Sequence, residues 1–348
     1  MAELPSPTNE KRRAARWWRL LQNLALSGAV FLGCVAVVEI ALRFAGYGRL
    51  EIYQPDPKLY WRLAPNQDCF TKVGHQPVHI NSHGTRGAEF AADKPAGTFR
   101  ILSLGDSRTF GWGLSEAETY SARLGESLQK QFGNASKVEV INAGVNAWSF
   151  PQMLVFYRDV AAAWQPDVVI LAEANLWTQF SEKNSDEFVR QFMARVRLKN
   201  FLRRFAIYHY VVELKLKDFY ARNRTRFIPV DPNADPLFKE QQQSDPDAVF
   251  RTAIARLVSA ARSNGVPTVL LFIPTLDDLS ATHPSRVLMA KRAVSAKLGV
   301  PLVDLSPDLV SGGKSLYLDA DPVHLNATGN GLAARRLFQT VTNFAPKK

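Results

Sequence analysis

Ser107, Asp321 and His324 are the side chains in this 348-residue chain whose types and surroundings suit nucleophilic catalysis. Ser107 ends the tripeptide Gly105-Asp106-Ser107, directly after the apolar run Phe99–Leu104. A serine at the tip of a strand presents its hydroxyl to a cleft. Backbone N–H groups of the next turn then lie nearby to hold an oxyanion. The pattern is not the G-x-S-x-G elbow, because Thr109 stands where the second glycine would be. By itself the tripeptide fits a helix-capping serine as well. A serine nucleophile needs a base, and histidine is suited to that near neutral pH. In Asp321-Pro322-Val323-His324 the aspartate can fix the histidine tautomer if the chain folds back, which Pro322 favours. Alone, this tetrapeptide also reads as a polar loop before a final helix capped by Asn326 or Thr328.

Other residues offer weaker chemistry. Arg108, beside the candidate nucleophile, suits a substrate carboxylate or phosphate, or else a solvated surface. His75, His79 and His83 recur every four residues, a metal-binding spacing on a helix. Pro77, Asn81 and Gly84 argue against a helix there, so no metal is expected.

The elements that must position these residues alternate along the chain. Strands are expected at Phe99–Leu104, Val138–Asn142, Asp167–Ala172, Thr268–Ile273 and Pro301–Asp304. Helices are expected at Thr119–Phe132, Pro151–Trp164, Ala248–Ser263, Pro284–Leu298 and Ala327–Phe344. Almost continuous apolar strands alternating with helices predict an α/β fold, a three-layer sandwich around a central parallel sheet. In such sheets ligands bind beyond the carboxyl ends of the strands, where Ser107 falls. Residues 177–245 break the rhythm and read as a basic, aromatic, helical insertion after the third core strand. Residues 43–97 read as an irregular approach segment, and 98–345 as the main domain.

Composition narrows the setting. Hydrophobic residues make up 46% and charged residues 22%, which excludes a wholly disordered chain. The net charge of +11 points to an anionic surface. No zinc-finger spacing or RNA-binding aromatic motif is present, so a nucleic-acid partner is not expected. Between Arg190 and Arg226 there are 11 Lys and Arg against Glu213 and Asp218. Phe201, Phe205, Tyr208 and Tyr210 lie among them, which suits anionic lipid, an acidic glycan groove, or a packed appendage with a solvated face. At the N-terminus the basic tail 1–19 precedes an apolar segment, 20–42, long enough to cross a bilayer. Trp17 and Trp18 fit the interfacial belt, and the positive flank places the tail in the cytoplasm and the rest outside. Glu39-Ile40-Ala41-Leu42 is a poor cleavage site, which favours a retained anchor over a signal peptide. Cys34 in that segment and Cys69 beyond it are not expected to pair.

Taken together the motifs resemble the SGNH (GDSL-type) hydrolase superfamily. Gly105-Asp106-Ser107 is similar to its first block, Asn142-Ala143-Gly144 to the second, Ala172-Glu173-Ala174-Asn175 to the third, and Asp321-Pro322-Val323-His324 to the fifth. The stretches Ile80–Gly87 and Gly105–Leu124 resemble envelope-associated bacterial members, which often carry an N-terminal anchor. The resemblance implies Ser107 as nucleophile, His324 as base and Asp321 as its orienting partner. It implies an oxyanion hole from the N–H groups of Ser107 and Gly144 with the Asn175 amide, and no cofactor. Two positions depart from the pattern: Glu173 replaces a glycine and Leu176 an aspartate. Glu173 is expected to point into a sheet face or to pair with a base rather than to oppose the oxyanion. The expected function is a serine esterase of the cell envelope that acts through an acyl-enzyme on O-acyl, chiefly acetyl, esters of carbohydrate or lipid. The alternatives are a polysaccharide O-acyltransferase with the same triad and a non-catalytic, glycan-binding scaffold.

Overall fold

A computed structural model describes residues 9–50, 53–71, 73, 75–133, 135–172, 186–216 and 246–345. Five parallel strands form the centre: β5 (Thr98–Gly105), β6 (Lys137–Gly144), β7 (Val168–Leu171), β8 (Thr268–Phe272) and β9 (Leu302–Asp304). Their spatial order is β6-β5-β7-β8-β9, so β5 lies inside the sheet. Alternation along the strands divides the core in two. Leu102, Leu104, Val169, Leu171, Leu270 and Phe272 face a layer formed by α4 (Phe150–Asp159), α7 (Pro246–Ser263) and α9 (Arg286–Leu298). Phe99, Ile101, Ile170, Val269, Leu271 and Val303 face α3 (Tyr120–Phe132), α8 (Leu276–Ser280), α10 (Ser306–Val310) and α11 (Ala327–Val341). Each such side chain removed from water stabilises the fold by about 1.5–3 kcal/mol, so both faces must be covered. The result is the three-layer α/β sandwich that the apolar runs predict. Element ends shift by one to three residues, and the helix expected at Pro151–Trp164 divides into α4 and a 3₁₀ turn at Ala161–Trp164.

The stretch 43–97 is more ordered than its sequence suggests. It carries two antiparallel hairpins, β1 (Tyr53–Asp56) with β2 (Tyr60–Leu63), and β3 (Gln67–Phe70) with β4 (Pro77–Ile80). Four-residue strands containing Pro55 and Pro77 show too little alternation to be legible beforehand. The first hairpin supports α5 (Asp186–Leu202), whose Phe192 stacks on Trp61 at 5.4 Å and meets Tyr60 at 5.6 Å.

At the N-terminus α1 (Asn9–Phe44) runs for 36 residues. Its portion Arg16–Phe44 is long and apolar enough to cross a membrane, and none of its apolar window is buried against the rest of the chain. Twenty-nine residues at this position span about 43 Å. Near its end α1 meets α6 (Ala206–Tyr208), which continues as a π-helical turn, His209–Lys215. The flanks of the predicted insertion, 177–185 and 217–245, lie outside the described residues.

One buried cation fixes the approach segment to the sheet. Arg100 on β5 is fully buried, with its guanidinium 2.7 Å from Glu139 of β6 and over the Phe90 ring. It also donates to the carbonyls of Ala91, Ala92 and Trp164. Removing it leaves the half-buried Glu139 carboxylate with Lys137 alone among the described residues, at 2.8 Å, and takes the donors from three carbonyls. Arg100→Met is therefore expected to lose about 3–5 kcal/mol of unfolding free energy, read from the shift of the chemical denaturation midpoint.

Candidate active site

The turn that carries Ser107 is shaped by close approach. β5 ends at Gly105, and α2 (Ser107–Phe110) starts after one residue. A Cβ on Gly105 would stand 2.6 Å from Thr109 Cβ, so only glycine lets the helix fold back against the strand end. A Cβ on Gly144 would stand 2.6 Å from the Thr109 carbonyl carbon, and the backbone of α2 therefore rests directly on β6. Asp106 caps α2 by accepting from the N–H of Arg108 at 2.9 Å. The N–H of Ser107 makes no hydrogen bond among the described residues.

Ser107 and His324, 217 positions apart, meet beyond the carboxyl end of the sheet. The loop that carries His324 is tied at several points. Leu318 N–H donates to the His324 carbonyl at 2.9 Å, and Leu276 N–H to the Pro322 carbonyl at 2.8 Å. Tyr317 Oη donates to the Pro274 carbonyl at 2.8 Å, and burial pushes its phenol well above the ordinary range. Asn330 of α11 is buried and donates to the Leu325 and Asn326 carbonyls while accepting from Tyr120 N–H at 3.0 Å. It thus joins the histidine loop to the start of α3.

His324 Nε2 lies 2.8 Å from Ser107 Oγ, and Nδ1 lies 2.8 Å from Asp321 Oδ2. Asp321 Oδ1 accepts the N–H groups of Val323 at 2.9 Å and of His324 at 3.2 Å. Burial by itself would raise the Asp321 carboxyl. The His324 hydrogen bond and charge, with the two backbone donors, outweigh burial and hold it below its ordinary value. An ionised Asp321 assigns the proton to Nδ1 and leaves Nε2 to accept from Ser107. Trp112 stacks beside His324, with ring centroids 5.9 Å apart. Tyr120, fully buried, bonds Ser103 and Thr109 through its hydroxyl, and burial raises its phenol to about 12.

The structure brings Ser107, His324 and Asp321 together and distributes the other expected residues differently. Gly144 directs its N–H to Asn142 Oδ1 at 3.1 Å, so it is not the open donor expected of it; its lack of a side chain is what α2 requires. Three residues on, Ala147 adopts φ of 66°, and its N–H makes no hydrogen bond among the described residues. Arg108 folds back on its own turn. Its guanidinium, 12% exposed, pairs with Asp106 at 2.9 Å and donates to the Ile273 carbonyl at 3.2 Å, joining the nucleophile turn to the end of β8. Asn175, Glu173 and Leu176 lie outside the described residues. The three histidines diverge: His75 stacks on Phe70, His79 bonds Asp68 and His83 stacks on Phe90.

Arg86 is the site residue that motif reasoning passed over. It is buried, lies over the Phe110 ring at 4.9 Å, and donates to the carbonyls of Phe110, Gly111 and Leu114 at 2.6–2.9 Å. These carbonyls lie at the end of α2 and in the turn after it, where the helix has no further N–H to offer; that of Gly111 also accepts the Leu114 N–H at 3.1 Å. Asn81 braces the loop that delivers it, through Thr85 and the Ala88 carbonyl. Its one sequence signal is an arginine between threonine and glycine in Ile80–Gly87.

The sequence profile of the GDSL-like lipase/acylhydrolase family matches residues 103–332, from β5 to α11. The chain belongs to that family. It is an ester-bond hydrolase by that membership. No curated protein sequence matches it. Among solved structures it is similar to TesA, with 15% identity over 71% of this chain and 99% of that one and a TM-score of 0.44. It is similar to the psychrotrophic esterase EstA from a Pseudoalteromonas species, with 14% identity over 71% and 98% and a TM-score of 0.41. It is also similar to the lipase/acylhydrolase from Enterococcus faecalis, with 16% identity over 72% and 98% and a TM-score of 0.42. The membership rests on the profile.

Two outcomes follow from this geometry. Asp321→Asn leaves the hydrogen-bond distance but favours the wrong tautomer, and kcat at neutral pH is expected to fall about 10⁴-fold. Because the folded carboxyl titrates below its unfolded value of about 3.9, its stabilisation is complete above that pH. It is lost as the pH falls through the lower folded value, so the Tm of Asp321→Asn should vary less than that of the unaltered chain across this acid range. Arg86→Met removes three donors from the carbonyls of Phe110, Gly111 and Leu114. It should lower unfolding free energy by about 3 kcal/mol and reduce kcat while Ser107, His324 and Asp321 are untouched, measured by denaturation and ester hydrolysis.

Proposed function

We propose that the chain is a serine esterase that removes O-acyl, chiefly acetyl, groups from carbohydrate or lipid of the cell envelope through an acyl-enzyme. The observation that carries this reading is the unbroken relay from Ser107 Oγ through His324 to Asp321, with 2.8 Å at each step. In this mechanism His324 Nε2 takes the proton of Ser107 as Oγ attacks the ester carbonyl. The tetrahedral oxyanion accepts hydrogen bonds from the Ser107 N–H and the Ala147 N–H. The Asn175 amide is the third donor, by resemblance to the family. The alcohol leaves with the proton held on His324. Water then attacks the acyl-serine, giving its proton to His324, and the acid departs as Ser107 regains its own. The half-buried Trp112 beside His324 offers a flat apolar face to the ring of a sugar alcohol. The helix α1 serves as a single-pass anchor, with the basic tail in the cytoplasm and the hydrolase domain outside the cytoplasmic membrane.

The test uses the full chain in detergent with p-nitrophenyl acetate, butyrate and octanoate. Ser107→Ala and His324→Ala are each expected to lower kcat by at least about 10⁴-fold without altering the fold. A fluorophosphonate should label Ser107 alone. Preference for acetate supports acetyl-sugar substrates, and preference for octanoate supports lipid. A folded chain that neither hydrolyses the esters nor takes the label overturns the proposal.

A further inference from the structure

The helix α5 has two apolar sides, and among the described residues only one packs on other elements. At about 100° per residue, Val189, Phe192, Met193, Val196 and Asn200 fall on one face. That face packs on the first hairpin, where Phe192 stacks on Trp61 and Asn200 Oδ1 accepts from Tyr53 N–H at 3.2 Å. Leu198 and Phe201 point the opposite way and are 61% and 56% exposed. Phe205, also exposed, continues the stripe and meets Phe201 edge-on at 5.4 Å. Exposed arginines flank it, Arg195 on one side and Arg197 and Arg204 on the other. An apolar stripe bordered by cations is the pattern of a helix lying in a lipid headgroup layer.

The position of this stripe is set by α1. Glu39, inside the apolar helix, accepts the N–H groups of Ala206 at 2.9 Å and Ile207 at 3.0 Å, the open donors at the start of α6. Arg43, paired with Glu39 at 2.7 Å, donates to the Arg204 carbonyl at 2.7 Å. The end of α5 is thereby held against the last turns of α1, next to Phe44, which is 90% exposed. The two polar side chains near the end of the apolar helix are therefore spent on fixing α5 there.

We infer that the exposed Leu198–Phe201–Phe205 stripe and its arginines form a second membrane contact, docked on the anionic lipid surface of the bilayer that α1 crosses. The inference rests on the anchor reading of α1. Charge selects anionic lipid, since each arginine near such a surface strengthens docking about fivefold. The tether makes docking intramolecular, so a small contact suffices. The orientation of the hydrolase domain over the membrane is then fixed by two points instead of one swivelling helix.

The test reconstitutes the full chain in vesicles of phosphatidylcholine with or without phosphatidylglycerol. An environment-sensitive fluorophore is attached at Leu198→Cys in a Cys34→Ser background, Cys69 being buried. A second label at Gln339→Cys reports on α11, on the opposite face of the sheet. With phosphatidylglycerol the 198 label should shift to the blue and be quenched by brominated lipid, while the 339 label stays water-like. Arg195→Ala and Arg197→Ala should each weaken that response about fivefold. A water-like 198 label in vesicle-bound protein overturns the inference and leaves the anchor intact. Loss of the protein from vesicles on alkaline washing overturns the anchor reading and the inference with it. A 198 label that responds to soluble polygalacturonate and not to phosphatidylglycerol overturns it in favour of a glycan surface.

Discussion

The backbone of α2 has no space between itself and the strand ends beneath it, and this contact governs the site. Gly105 and Gly144, paired across β5 and β6, both face Thr109, and any side chain at either would occupy its atoms. The helix that starts at Ser107 therefore lies flat on the sheet edge, with its first residue directed into the crevice. The same contact explains why the second glycine is needed although its N–H is engaged by Asn142.

Two buried arginines anchor the ends of this arrangement. Arg86 enters from the segment before the sheet and satisfies the carbonyls at the far end of α2 and its following turn. Arg100 leaves β5 near the opposite end of the sheet and binds the continuation of that segment at Ala91 and Ala92. The chain between them is held at both ends, and each guanidinium, with its fixed fork of donors, suits several carbonyls at once. Positioning of Ser107 thus depends on residues that precede the sheet.

The histidine loop is secured independently. Asp321 both caps its own turn through two N–H groups and orients His324, so the placing of the imidazole and the loop conformation share one carboxylate. Asn330 then couples that loop to α3, whose Tyr120 reaches back to Thr109 of α2. A closed circuit of hydrogen bonds joins the histidine loop to α2 through α11 and α3. Low dielectric in its buried part strengthens each bond and raises the cost of breaking one.

The sequence by itself determined the α/β alternation, the sheet strands, the apolar helix and the three residues of the relay. Those features are local: apolar periodicity marks the strands and helices, and side-chain chemistry marks a serine, a histidine and an aspartate. Only the tertiary structure decided that Arg108 ties Asp106 to Ile273. It also decided that Gly144 serves by its missing side chain, that Arg86 closes the helix that starts at Ser107, and that Glu39 caps α6. Each of these depends on a partner distant in sequence. A hydrogen bond or a steric limit exists only once two segments are adjacent, and no local pattern in the chain encodes that proximity.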